Sequence, residues 1–193
     1  MEKEAMDKLL TLEEDELVLW SGKPVPFKIM DQYYKPVFIR NYIIAIAIVV
    51  LIFAAALIHS AGSGGINFKA LALLCCVPLV IIPAGLSQYS NYRKECRYFF
   101  TNKNIIVIWE SRKLKFPVSD IDKFDSVPQF EGTVSIRIGK AVGIPVRKNR
   151  EYALKSLIGD PAEDQDKGCV LYNLSEKDAG MILELIDKYR VVA

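Results

Sequence analysis

Histidine is almost missing from this chain: His59 is the only one in 193 residues. That rules out most imidazole-based acid–base chemistry and leaves a zinc site without its usual ligand set. Cysteine is scarce too, at four. Cys75 and Cys76 are adjacent inside an apolar run, and Cys96 and Cys169 fall in strand-like segments, so no disulfide framework is laid out. Cys96 reads as an ordinary buried thiol before it reads as an acylation site. No phosphate-binding loop is present. Gly62-Ser63-Gly64-Gly65 lacks the spaced Gly-Lys-Ser/Thr and reads as a flexible turn. Asp120, Asp122 and Asp125 lack the central Gly and terminal Glu of a calcium loop. The net charge of +2 is too small to argue for nucleic acid. The expectation is a chain without catalytic residues, cofactor or metal.

Charge is also missing from two long stretches, Tyr42–Ile58 and Ala70–Leu86. The first holds eleven Ile, Leu, Val or Phe residues. At roughly −0.3 to −0.6 kcal/mol each they favour membrane insertion by about 3 to 7 kcal/mol. The second holds nine, interrupted by Pro78, Pro83 and Gly85, which predict a kinked helix. A span needs about 20 residues. The first reaches that length by extending to Ala61, the second by extending to Tyr89. Soluble helices this long carry a polar stripe, and neither run does. The first run begins too far along the chain for a usual cleaved leader. The two runs, with the Gly- and Ser-rich turn between them, predict a transmembrane helical hairpin over residues 39–89, after an N-terminal segment 1–38 and before a domain 90–193.

Lys3, Lys8, Lys23, Lys28, Lys35 and Arg40 precede the first run, and Arg93, Lys94 and Arg97 follow the second. The turn between them has no basic residue before Lys69. The positive-inside bias places both termini in the cytoplasm of a plasma-membrane protein with two spans. Trp20, Tyr33, Tyr34, Tyr42, Tyr89 and Tyr92 are the candidate membrane-interface anchors. Pro24, Pro26 and Pro36 predict that no continuous helix runs before the membrane.

After the hairpin the hydrophobic period changes from helical to alternating. Cys96–Thr101, Ile105–Glu110, Lys113–Val118, a segment near Ile121–Val127, Thr133–Ile138, Val142–Val146 and Cys169–Leu174 predict about seven strands. Asn102-Lys103-Asn104 and Ser111-Arg112 read as turns. Leu17–Trp20 is a further short strand-like stretch, broken by Gly22 and Pro24. Ser175 with Asp178 three residues on is a helix start, and Ala179, Ile182, Leu183, Ile186 and Tyr189 share one face of the helix that follows. Such a face buries against the open end of a sheet. The fold class expected is α+β.

Antiparallel strands closed by one C-terminal helix, with YFFTNKNIIVI (Tyr98–Ile108), FPVSDIDKF (Phe116–Phe124) and ELVLWSGKP (Glu16–Pro24), resemble the bacterial pleckstrin-homology (PH) domain family of membrane proteins. Thr101, Lys103, Ile105, Ile106, Ile121 and Phe124 carry the resemblance. Asn104 departs from it, standing where an Arg is frequent, and Arg147–Gly168 is longer than the pattern leads one to expect. The resemblance implies a PH-like β-barrel or sandwich preceded by a membrane hairpin.

Candidate contacts to a lipid headgroup or a partner are Lys103, Arg112, Lys113 and Lys115 in the first hairpins. A second basic segment adds Arg137, Lys140, Arg147, Lys148, Arg150 and Lys155. Basic side chains near an anionic membrane surface are worth about 1 kcal/mol each. The acidic stretch Asp160, Glu163, Asp164 and Asp166 follows closely enough to neutralise the second group. The function expected is scaffolding or regulation of a membrane assembly, through a membrane-protein partner or self-association in the lipid bilayer. Anionic-lipid sensing is the alternative.

Overall fold

A computed structural model describes residues 10–28, 32, 34–63, 90–92, 94–129, 132–158 and 168–190. The second apolar run Ala70–Leu86, Tyr33, Tyr89 and the acidic stretch Asp160–Asp166 lie outside them. The chain divides into two compact units: residues 28–91, and a unit that joins residues 1–27 to 92–193. The division therefore differs from the expected borders at 38/39 and 89/90. The chain through Phe27 belongs with the strands.

In the first unit helix α1 spans Tyr34–Ser63. Its stretch Lys35–Ile58, 24 residues, is long and apolar enough to cross a membrane, and is the one such helix among the described residues. At 1.5 Å per residue it covers about 36 Å, more than the roughly 30 Å of a hydrocarbon core. Ile43, Val50, Leu51 and Ile58 are all exposed. Residues 23–28, with Pro24 and Pro26, are not helical, and Pro36 lies within the start of this helix. It sits in the first turn, where its missing N–H would have had no intrahelical acceptor.

The second unit holds seven antiparallel strands in two sheets. In the four-stranded sheet the order is β1 (Val18–Gly22), β2 (Arg97–Thr101), β3 (Asn104–Trp109) and β4 (Arg112–Pro117). Strand β1 falls on the short strand expected at Leu17–Trp20; it pairs with β2 through Trp20↔Phe100 and Gly22↔Tyr98. The β2–β3 register sets Tyr98 opposite Val107 and Phe99 opposite Ile106. Because side chains alternate, Tyr98, Phe100, Ile105, Val107 and Trp109 share one face while Phe99, Ile106 and Ile108 share the other. Glu110 makes the β3–β4 turn with a positive φ of 54°.

The three-stranded sheet has the order β5 (Phe124–Pro128), β6 (Thr133–Ile138), β7 (Cys169–Ser175). A bulge in β7 puts Asn173 at φ 58°. There its side chain accepts from Thr133 Oγ1 at 2.6 Å and donates to the Val25 carbonyl at 2.8 Å. Asn tolerates this left-handed backbone, and the bulge ties the segment after β1 to the opposite sheet. The two sheets meet through the Tyr98 hydroxyl, which donates to the Tyr172 carbonyl at 3.0 Å; the Tyr92 hydroxyl lies 2.8 Å from that of Tyr98.

The strand expected at Val142–Val146 does not form. Gly139–Ala141 and Val146–Lys148 are single 3₁₀ turns, Gly143 has φ 88°, and Pro145 offers no amide to a ladder. The strand count stays at seven because β1 takes its place. Part of the long segment Arg147–Gly168 forms helix α2 (Asn149–Ile158), which packs on β7 and β4. Helix α3 (Glu176–Arg190) packs on β6, β7 and the turn Val118–Asp120, burying Ala179, Ile182 and Ile186. Its start is as expected: the Ser175 hydroxyl accepts from the Asp178 N–H at 3.1 Å.

Candidate functional site

An antiparallel sheet usually turns polar residues to solvent on its outer face. The outer face of the four-stranded sheet instead carries Phe99, Ile106 and Ile108, all buried, with Leu10 and Leu12 packed against them. Residues 10–16 lie across this face as a strap.

The lysines of the neighbouring strand and turn hold the strap's polar groups. Lys113 is paired in register with Ile108, and Lys115 with Ile106, so both point to the same side. The Lys113 ammonium donates to the Thr11 carbonyl at 3.0 Å. Lys115 forms an ion pair with Glu13 and lies 3.9 Å from Glu16. Lys103, in the β2–β3 turn, donates to the Glu14 carbonyl at 2.9 Å and lies 3.9 Å from Glu13. Asn102 closes the end of the strap: its side chain accepts from the Leu17 N–H at 2.8 Å and donates to the Asp15 carbonyl at 3.0 Å.

Glu16 is the deepest point. It is 4% exposed. Its carboxylate accepts from Thr101 Oγ1 at 2.6 Å, Asn104 Nδ2 at 2.7 Å and the Glu13 N–H at 3.0 Å. The Thr101 hydroxyl in turn accepts from the Asn104 N–H at 2.7 Å, fixing the turn. Burial alone would raise the Glu16 pKa. The hydrogen bonds from Glu13, Thr101 and Asn104, with the Lys115 charge, outweigh it, and the pKa is lowered from its ordinary value.

Of the four basic residues expected in the first hairpins, Lys103, Lys113 and Lys115 are thus brought together. Arg112 is apart from them, its guanidinium 5.4 Å from the centre of the Trp109 ring. Sequence reasoning missed the acidic half of the site. The signal was available as four consecutive acids, Glu13–Glu16, directly before a strand.

The second basic group does not stay together as a headgroup surface. Arg137 is 7% exposed and makes a two-pronged ion pair with Asp125, a third bond going to the Ile144 carbonyl. Arg150 is 5% exposed, its guanidinium 5.7 Å from the Phe27 ring. Both leave the candidate list, because a buried, engaged guanidinium cannot meet a headgroup. Lys155 is exposed and paired with Glu151 at 2.7 Å, while Lys140, Arg147 and Lys148 are exposed.

Two of the expected interface anchors also move. The Trp20 indole donates to Asp178 at 3.3 Å, placing it against the start of α3. Tyr92 is 1% exposed, within the β unit. Tyr42 remains exposed on α1, stacked on Phe38 with ring centres 6.2 Å apart. Tyr34 begins α1. Cys96 and Cys169 are buried thiols whose pKa values burial raises to about 12, which leaves neither as a nucleophile at neutral pH.

No family model matches the chain, and neither a curated protein nor a solved structure resembles it closely enough to count as a match.

Proposed function

We propose that the chain is a non-enzymatic membrane protein whose PH-like β unit is tethered at the cytoplasmic face and acts as scaffold or regulatory subunit of a membrane assembly, by contacts with a membrane-protein partner or a second copy of itself. In this reading α1 is the first of two spans, Ala70–Leu86 is the second, and both termini are cytoplasmic. The observation that carries it is the coexistence of an exposed apolar helix with an exposed apolar edge. Leu17, Val18 and Leu19 are exposed where the chain enters β1, which pairs on one side with β2 and is the last strand in the order of its sheet. Such an edge offers both backbone hydrogen-bonding groups and apolar side chains to another chain.

Native mass spectrometry of the full chain, extracted in mild detergent, tests this. A stoichiometric partner or a homo-oligomer is expected, and Leu17→Lys with Leu19→Lys should reduce it. A monomer alone, in wild type and variant alike, contradicts the reading.

A second reading, anionic-lipid sensing, is favoured by the exposure of Lys140, Arg147 and Lys148 at and before the start of α2. The full chain in neutral nanodiscs should then capture vesicles rich in anionic lipid. Lys140→Glu, Arg147→Glu and Lys148→Glu together should weaken that capture, and indifference to salt would rule it out.

A further inference from the structure

We infer that the outer face of the four-stranded sheet is a docking surface for an acidic, leucine-containing peptide segment of a partner, and that residues 10–14 occupy it in cis as a displaceable stand-in. The inference rests on the partner-binding reading above and names the surface and the chemistry of its occupant.

The face has two parts that want different things. Phe99, Ile106 and Ile108 need apolar cover, which Leu10 and Leu12 supply. Lys103, Lys113 and Lys115 need acceptors, which the Thr11 and Glu14 carbonyls and the Glu13 carboxylate supply. The matching pattern is Leu-x-Leu followed by acids, as in Leu10–Glu14. A phosphate or a lipid headgroup would satisfy the lysines and leave three apolar side chains uncovered. A peptide carrying both leucines and carboxylates satisfies both parts, so the occupant is a peptide.

The strap is held unevenly. Glu13 and Lys103 are largely exposed, and ion pairs of that kind contribute little net stability. Glu16 is buried and bonded to Thr101 and Asn104. Residues 10–14 can therefore lift while Glu16 and β1 stay paired. The tethered strap competes at an effective concentration on the order of millimolar. An outside segment succeeds when it binds more tightly or is concentrated beside the strap, as a neighbour in one membrane would be.

The test uses the full chain in neutral nanodiscs and a fluorescein-labelled peptide with the sequence of residues 8–17, followed by fluorescence anisotropy. In Leu10→Asp/Leu12→Asp protein the strap loses its apolar hold. This variant should bind the peptide at least about tenfold more tightly than wild type, whose face is already filled. Adding Lys113→Glu and Lys115→Glu to it should remove the gain, as should replacing the peptide's Leu10 and Leu12 by Asp.

Equal binding by wild type and the released variant, with unchanged far-ultraviolet circular dichroism, overturns the inference. So does displacement of the peptide by inorganic phosphate at concentrations that leave ionic strength matched, which would mark a simple anion site. The broader reading is separable. A partner or oligomer recovered equally with wild type and the released variant keeps the scaffold reading and rejects this surface as its seat.

Discussion

Glu16 shows how much a single side chain can organise. It is the only carboxylate in the acidic run Glu13–Glu16 to be buried, and three donors from two distant parts of the chain converge on it. Because its folded pKa is lowered, its contribution to stability is present above the ordinary carboxylate range and is lost as pH falls through the folded value. Glu16→Gln should cost about 1.5–3 kcal/mol at neutral pH, the usual worth of hydrogen bonds to a charged group. The difference between wild type and variant in urea unfolding should shrink as the solution is acidified below pH ~4, where the unfolded carboxyl takes up its proton before the folded one does. A gap that stays constant with pH would show that the carboxylate charge is not what holds the strap. Gly168 is a second such position. Its φ is 85°, and an added Cβ would lie 2.2 Å from the Ile138 carbonyl oxygen. Gly168→Ala should destabilise by about 2–5 kcal/mol, from left-handed strain plus overpacking at the start of β7, read as a lowered Tm.

At the scale of elements, what was legible in the sequence followed local periodicity. Strands β4 and β6 alternate visibly, β2 and β3 show as short apolar runs bounded by a turn, and the Ser175/Asp178 spacing marks the start of α3, whose hydroxyl cap forms as expected. The failures have different causes. Val142–Val146 has apolar strand-forming residues, but Gly143 and Pro145 turn them into a connection, so composition alone misleads there. Trp20 reads as a membrane anchor in isolation, yet its partner Asp178 lies 158 residues away and no local pattern reveals it. The strap is hidden for the same reason: Lys113 and Thr11, or Lys115 and Glu13, are each 102 residues apart. Asp178 joins both kinds of information, since one carboxylate accepts from the Ser175 hydroxyl at 2.6 Å and from the Trp20 indole. Asp178→Ala should therefore cost more than a cap residue's usual ~1 kcal/mol. A double-mutant cycle with Trp20→Phe should show a coupling of about 0.5–1.5 kcal/mol. Zero coupling would mean that the indole bond adds nothing to holding β1 against α3.

For the whole molecule, the decisive contrast is between two ways of handling apolar surface. The β unit buries a core of its own, in which Tyr98, Phe100, Ile105, Ile136 and Leu174 are each 1% exposed or less, and leaves Leu17, Val18 and Leu19 exposed at one edge. Helix α1 leaves Ile43, Val50, Leu51 and Ile58 uncovered, at 59–76% exposure. The same chemistry that closes one unit stays exposed along a helix of the other. That 24-residue stretch is long and apolar enough to cross a bilayer, and Lys35 and Arg40, near its start, are long enough to extend their charges to an interface. Val50→Arg, near the middle of that stretch, replaces a favourable residue by one that costs roughly 2.5–3.5 kcal/mol at the membrane centre. The total penalty is comparable to the lower part of the ~3 to 7 kcal/mol that the apolar side chains supply. In a chain whose second apolar run is also broken, by Val77→Arg, so that α1 alone holds the lipid, carbonate extraction of membranes should then shift a substantial fraction of the Val50→Arg variant into the soluble fraction, while Val50→Leu stays with the lipid. Because the strands fold around an independent core, circular dichroism of the β unit should be unchanged in the variant. Equal retention of the Arg and Leu variants would mean that α1 is not in contact with hydrocarbon, and that its exposed side chains are covered by protein instead.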